Sequence, residues 1–177
     1  MLRTKRRRRS GQALAEFALV LPVLALLLFG IVQFGITFGG YNALINSVRE
    51  AARYGSVCVG SASSCGSATA TYLGTKISQS GFGYAGLPTG QVQYQAYQEP
   101  PDTGLWNVRM QVTGCVNAQL FIPLIGNILN PTSPGVLPMR SVEIFRVEGM
   151  PAQNPTSDPD IPNGGTWGTS FTLNGGC

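Results

Sequence analysis

The stretch GQALAEFALVLPVLALLLFGIVQFGITFG, from Gly11 to Gly39, decides the fold of this chain of 177 residues. Its last 23 residues, which begin at Phe17, include no charged side chain. A helix rises about 1.5 Å per residue, so these residues would cover roughly 34 Å and could cross the hydrocarbon core of a bilayer. One carboxylate, Glu16, stands at the start of this run, where a charge is costly unless it is neutralised or paired.

A block of basic residues precedes the apolar stretch and is formed by Lys5, Arg6, Arg7, Arg8 and Arg9. From Gln12 onward the chain is slightly acidic, with six basic and eight acidic residues. A basic arm can bind nucleic acid. Directly before a long apolar helix, however, it favours a cytoplasmic N-terminus by the positive-inside rule. We therefore expect membrane lipid as a partner and no nucleic acid.

The helical pattern continues beyond Gly39. Apolar residues recur at the spacing i, i+3, i+4, i+7 and i+11, at Tyr41, Leu44, Ile45, Val48 and Ala52. Glu50 and Arg53 are spaced for an ion pair on the helix surface. One helix from about Gln12 to Tyr54 would be roughly 65 Å long. Its first half would be apolar all round and its second half amphipathic.

The segments between the long helix and the strands are less regular. A second helix is expected from about Ser67, a candidate N-cap, to Ser80. Residues 81–90 contain four glycines and a proline and predict a loop. Residues 120–129 have helical spacing interrupted by Pro123, which predicts a short core helix. The alternative for this segment is a piece that dips into the membrane surface.

Alternating residues predict the sheet. The runs 91–96 and 106–112 flank a turn and predict an antiparallel hairpin, and a third strand is expected between Met139 and Glu148. The predicted fold class is α+β, with a long N-terminal transmembrane helix followed by a small antiparallel β-sheet head domain with short helices. The expected organisation is a basic leader (1–11), the long helix (12–55), a periplasmic head (56–149) and a Pro/Gly-rich tail (150–177).

Four cysteines follow the apolar stretch: Cys58, Cys65, Cys115 and Cys177. An even number of cysteines in a small exported domain indicates disulfides, and four cysteines allow three pairings. We favour Cys58–Cys65 as a local loop, which leaves Cys115–Cys177. The alternative is four unpaired buried thiols. The CxxC spacing of a metal site is absent, so no metal is expected.

Little in the composition indicates catalysis. The chain has no histidine, which removes the usual general base, the usual zinc ligand and the Ser-His and Cys-His pairs of nucleophilic catalysis. The GxxxxGK[ST] phosphate loop is also missing, so an ATP-driven motor would have to be another protein. We expect no enzyme activity, no catalytic residues and no cofactor.

The basic arm, Gly11, the Glu16-Phe17 pair and the apolar helix together resemble the class III signal of type IV pilin-like proteins. The resemblance implies that a membrane prepilin peptidase cuts after Gly11 and leaves Gln12 as the new N-terminus. It also implies that Glu16, at the fifth mature position, pairs with the free amine of a neighbouring subunit during assembly.

Two segments indicate which group of pilin-like proteins the chain resembles. AEFALVLPVL (15–24) and REAARYG (49–55) are similar to TadE/TadG-like proteins of tight-adherence (Flp) pilus systems, and 106–113 and 140–148 are more loosely similar. TadG-type members are usually longer, and major Flp pilins are far shorter. The resemblance therefore implies a TadE-like or TadF-like minor pilin (pseudopilin) that helps to assemble or initiate a Tad pilus.

The resemblance also implies a location and partners. The protein would cross the bacterial inner membrane once, with its N-terminus cytoplasmic and its head periplasmic, and could then enter an extracellular pilus. Its partners would be other pilin-like subunits, the prepilin peptidase, and the inner-membrane assembly platform with its separate ATPase. The alternative of a different class is an uncleaved single-pass anchor that presents a small disulfide-linked periplasmic binding domain.

Overall fold

The computed structural model describes residues 10–80, 83–98, 106–122, 127, 130–133, 135–148, 158, 160–162 and 166–177. Its elements in chain order are α1 (Ser10–Ser56), α2 (Ala62–Ser80), β1 (Tyr84–Gln98), β2 (Trp106–Gln119), β3 (Val136–Val147) and β4 (Phe171–Leu173). All paired strands are antiparallel and follow the order β3-β2-β1-β4. The predicted α+β class is confirmed, with a long apolar helix followed by a small antiparallel sheet and a shorter helix.

The core of the head lies between one face of the sheet and the two helices. Leu44 and Val48 of α1 are fully buried, as are Leu73 and Ile77 of α2. These four side chains pack against the inward-facing residues of the hairpin formed by β1 and β2. At Gly114 of β2 an added Cβ would clash with Val48. The period of two along β1 and β2 therefore predicts the face that is buried.

Helix α1 packs on the head with a slightly different face from the one predicted. Leu44, Val48 and Ala52 are buried as expected, whereas Tyr41 is exposed and Ile45 is half-buried. The buried face instead includes the small residues Gly40, Ser47, Ala51 and Gly55. Small side chains let the helix approach the sheet closely, and the larger Tyr41 is left on the flank.

Helix α2 begins at Ala62, five residues before the expected N-cap Ser67. The N-cap is Ser61, whose hydroxyl oxygen accepts the backbone N–H of Ser64 at 3.3 Å. The tail adds a second cap, because Oδ2 of Asp158 accepts the backbone N–H of Ala62 at 3.2 Å. The prediction placed the start too late because residues 58–65 look like a polar loop in sequence.

The prediction of a loop at 81–90 is wrong from Tyr84 onward, where β1 begins. Tyr84 is paired with Ala118, and the register shifts between Ala85 and Thr89. Gly86 has a φ of +79° within this irregularity, so the glycines and proline that suggested a loop form a bulge instead.

The tail contributes the edge strand β4, which the sequence did not predict. Val92 of β1 pairs with Phe171. An added Cβ at Gly66 of α2 would overlap the Phe171 ring, so this glycine makes room for the strand. The predicted segment 120–129 and the turn at 99–104 lie largely or wholly outside the described residues.

Polar contacts tie the helices to each other and to the sheet. Glu50 pairs with Lys76 of α2 at 2.6 Å rather than with Arg53, and Arg49 pairs with Glu143 of β3 at 2.8 Å. The Tyr72 hydroxyl also donates to the Glu50 carboxylate at 2.9 Å. The bonds from Lys76 and then from Tyr72 hold the pKa of Glu50 below its ordinary value.

Two disulfides complete the head. Cys58 is joined to Cys65 between α1 and α2, and Cys115 of β2 is joined to Cys177 at the end of the tail. These are the pairs that the sequence favours. The second bridge holds the tail against the sheet next to β4.

The two bridges should contribute unequally to stability. They enclose sequence separations of 7 and 62 residues, and in the chain-entropy model a longer loop gives more stabilisation. We expect removal of Cys115–Cys177 by paired alanine substitution to lower the free energy of unfolding by about 4 kcal/mol, and removal of Cys58–Cys65 by about 2 kcal/mol. Urea unfolding of the full chain in micelles measures both, and an equal or reversed order would contradict the prediction.

Candidate functional site: the exposed half of the long helix

The first half of α1 stands clear of the head. From Gly11 to Val32 every residue is exposed apart from Ala25 and Gly30, which are half-buried. Within the part of the chain that the structure describes, α1 is the one helix long and apolar enough to cross a membrane. An apolar cylinder of this kind is unfavourable in water, so its surroundings must be lipid or other apolar helices.

Gln33 marks the point where α1 meets the head. Its side chain is only 4% exposed. Its Nε2 donates to the backbone oxygen of Gln119 at 3.2 Å, and its Oε1 accepts the backbone N–H of Phe121 at 2.8 Å. The amide thus satisfies two backbone groups where β2 ends. Sequence reasoning missed Gln33, although it is the one amide side chain between Phe17 and Gly39.

The next turns of α1 stay in contact with the same end of the sheet. An added Cβ at Gly83 would meet the side chain of Ile36 at 2.8 Å. The Tyr84 hydroxyl donates to the backbone oxygen of Gly40, and burial raises the pKa of Tyr84. The head therefore begins at Gln33 without any linker between it and the exposed half of the helix.

Glu16 lies near the other end of the exposed half, about 26 Å from Gln33 along the helix axis. Its Oε1 accepts a hydrogen bond from Nε2 of Gln12, one turn earlier, at 3.2 Å. No salt bridge among the described residues includes Glu16. This carboxylate is exposed in the second turn of the helix.

Gly11 and Gln12 precede Glu16 and are equally exposed. Among the described residues, nothing outside the adjacent backbone of α1 lies within 4 Å of the position that a Cβ on Gly11 would occupy. The structure therefore places Gly11, Gln12 and Glu16 at the end of α1 that is remote from the head, and places the four cysteines in the head. Residues 5–9 of the basic arm lie outside the described part of the chain.

This geometry allows binding rather than catalysis. A free helix end with one carboxylate can accept a cation from a partner, and the apolar surface below it can pack against lipid or helices. The peptide bond between Gly11 and Gln12 lies in the first turn, where it is accessible from outside.

Comparison with known proteins adds one finding. Residues 11–53 match the family model described as TadE-like protein. Neither the curated proteins nor the solved structures gave a significant match. The matched segment covers both halves of α1, from the exposed Gly11 to the turn beside the Glu50–Lys76 pair.

The match confirms the resemblance predicted from the sequence and, with the apolar helix, fits a membrane-anchored protein. The TadE-like family belongs to Tad pilus systems, which indicates a pilus-associated component. Residues 11–53, which form nearly all of α1, are therefore a TadE-like segment.

Proposed function

We propose that this chain is a minor pilin or pseudopilin that takes part in the assembly or initiation of a Tad (Flp) type IV-like pilus. One observation carries the proposal: Gly11, Gln12 and Glu16 are exposed at the end of α1 that is remote from the head, within the TadE-like segment. A signal for processing and assembly has to be accessible, and these residues contact nothing in the head.

The proposed topology follows from charge and length. The basic arm, Lys5 to Arg9, keeps the N-terminus in the cytoplasm, and the apolar half of the helix 12–55 crosses the inner membrane. The head (56–149) and the tail (150–177) then lie in the periplasm, an oxidising compartment in which both disulfides persist. The leader 1–11 is removed from the mature protein.

The helix start suits a prepilin peptidase. Since α1 begins at Ser10, the bond after Gly11 lies in the first turn, where N–H groups lack helical partners and the helix frays. Glycine is among the residues that favour a helix least, so extending the chain into a protease cleft costs little at this position.

Glu16 supplies the assembly contact in this proposal. After cleavage each subunit has an ammonium group at Gln12, one turn from its own Glu16. In an apolar surrounding an unpaired carboxylate is costly, and the ammonium of a neighbouring subunit neutralises it. The partners are therefore other pilin-like helices, together with the peptidase, the assembly platform and its separate ATPase.

Processing can be read directly from the mature N-terminus. In cells that also express the cognate prepilin peptidase, mass spectrometry should find a chain that begins at Gln12. Gly11→Leu should abolish cleavage, because a side chain is introduced next to the scissile bond. Gly39→Leu, which also has open space around it on α1, should be cleaved normally. A wild-type chain that still begins at Met1, or equal cleavage of Gly11→Leu, would contradict the processing step.

Removal of the charge at Glu16 should separate assembly from insertion. We expect Glu16→Gln to be inserted and cleaved normally but to reduce the number of pili at least about tenfold, because the partner's ammonium is left unpaired. Glu148→Gln, in an exposed position of the head, serves as the control and should assemble normally. Normal piliation by Glu16→Gln, counted by electron microscopy, would refute the pairing role and leave the processing step intact.

A further inference from the structure

One end of the head lies level with the point where α1 leaves it. The end of β2 and the following Phe121 are held there by Gln33, and Gly83 lies beside Ile36. The opposite end of the head lies beside the end of α1, where the backbone N–H of Glu148 donates to the backbone oxygen of Ser56 at 2.8 Å. The head therefore has a near end and a far end relative to the exposed half of α1.

Large aromatic side chains are exposed at the near end. Phe34 is 69% exposed, Phe38 is 67% exposed and Phe121 is 60% exposed. We call these three residues the aromatic rim. Each leaves a large apolar ring outside the head's core, and together they continue the apolar surface of the exposed half of α1.

Helix length places the aromatic rim at a membrane boundary. A hydrocarbon core of about 30 Å needs roughly 20 helical residues. A span that begins at Phe17, directly after the charged Glu16, would end at about Ile36. The head, however, already contacts α1 at Gln33. Its near end therefore coincides with the outer boundary of the hydrocarbon and cannot stand away from it.

The rim covers an arc of roughly 140° around the helix. Phe121 lies on the side of Gln33, facing the sheet. Phe34 and Phe38 lie roughly 100° and 140° further round the helix. Lipid can cover all three rings, because they lie close to the level at which α1 would leave the hydrocarbon.

The positions of the charged residues that the structure describes are compatible with a membrane surface at the near end. Among the head residues that the structure describes, Glu50 and Glu143 are bonded at the level of Arg49 or beyond, and Glu148 lies at the far end. Asp158 caps the start of α2 and accepts the backbone N–H of Asp160, so both carboxylates lie toward the far end. In the sheet, the described charged residue nearest the near end is basic, Arg140 of β3. The described carboxylates of the head thus lie away from the aromatic rim.

We propose that the aromatic rim inserts into the headgroup region of the periplasmic leaflet, so that the head rests on the bilayer. Apolar rings at this depth gain burial while the polar backbone around Gln119 stays in the wet interface. The proposal relies on the membrane-spanning part of the proposed function and is independent of peptidase cleavage and of Glu16.

Quenching by brominated lipids tests this contact on the full chain in phospholipid vesicles. Phe121→Trp places a reporter at the rim without changing the core, because the ring is exposed. The native Trp106 and Trp167 give a constant background, since Trp106 begins β2 at its far end and Trp167 stacks on Arg109, the fourth residue of β2. The added emission of Phe121→Trp should be quenched by bromine placed just below the headgroups.

Two matched variants make the result decisive. Val59→Trp, an exposed position beyond α1 at the far end, should not be quenched. Leu27→Trp, in the middle of the exposed half, should be quenched by bromine deep in the acyl chains. Retention of both disulfides in each variant, shown by intact mass with and without reductant, verifies the folded head.

The outcomes separate the possible failures. Quenching of Phe121→Trp but not of Val59→Trp supports insertion of the rim. If Leu27→Trp is quenched and Phe121→Trp behaves like Val59→Trp, the rim faces water or a protein partner and the proposal is refuted, while the membrane anchor stands. If Leu27→Trp is not quenched either, the anchor itself fails, and the proposal fails with it.

Discussion

The architecture depends on α1, one continuous helix of 47 residues whose first half is exposed and whose second half packs on the head. The change occurs at Gln33, whose amide bonds to the backbone of Gln119 and Phe121. Before it, nearly every residue is exposed. After it, each turn contributes small or apolar residues to the core of the head. A buried amide at this level satisfies backbone groups at the end of β2, and so it fixes the position of the head along the helix.

The packed half of α1 is held from several directions. Small residues such as Gly40 and Ala51 allow close contact with the sheet, Glu50 bonds to Lys76 of α2, and Arg49 bonds to Glu143 of β3. The tail returns as β4 and is tied to β2 by Cys115–Cys177. The helix therefore gives a continuous connection, without a linker, between its exposed half and a disulfide-linked head. This is a physical property that a subunit of a filament or of an assembly complex needs.

Local patterns predicted most of the fold. The length of the uncharged run predicted the exposed half of α1. The alternation of apolar and polar residues in 91–96 and 106–112 predicted the hairpin. The start of β1 was missed because Gly86 and Pro88 look like a turn, whereas they belong to a bulge whose pairing depends on β2. The role of Gln33 was missed for a related reason. Its partners lie more than 80 residues away in sequence, and no local pattern shows where a strand will end in space. Gly11, Gln12 and Glu16 were predicted from the resemblance of the basic arm, Gly11, the Glu16-Phe17 pair and the apolar helix to a class III signal, and their roles stay predictions. The structure adds that these three residues are exposed.

Hydrogen–deuterium exchange of the full chain in lipid nanodiscs tests the division of α1 most directly. Under native conditions both halves should be protected, the first by lipid and the second by the head. With urea and reductant, the backbone amides of residues 41–55 should exchange rapidly as the head unfolds, while those of residues 17–32 stay protected because the bilayer still covers them. Simultaneous loss of protection in both halves, or rapid exchange of residues 17–32 in the native protein, would contradict this account.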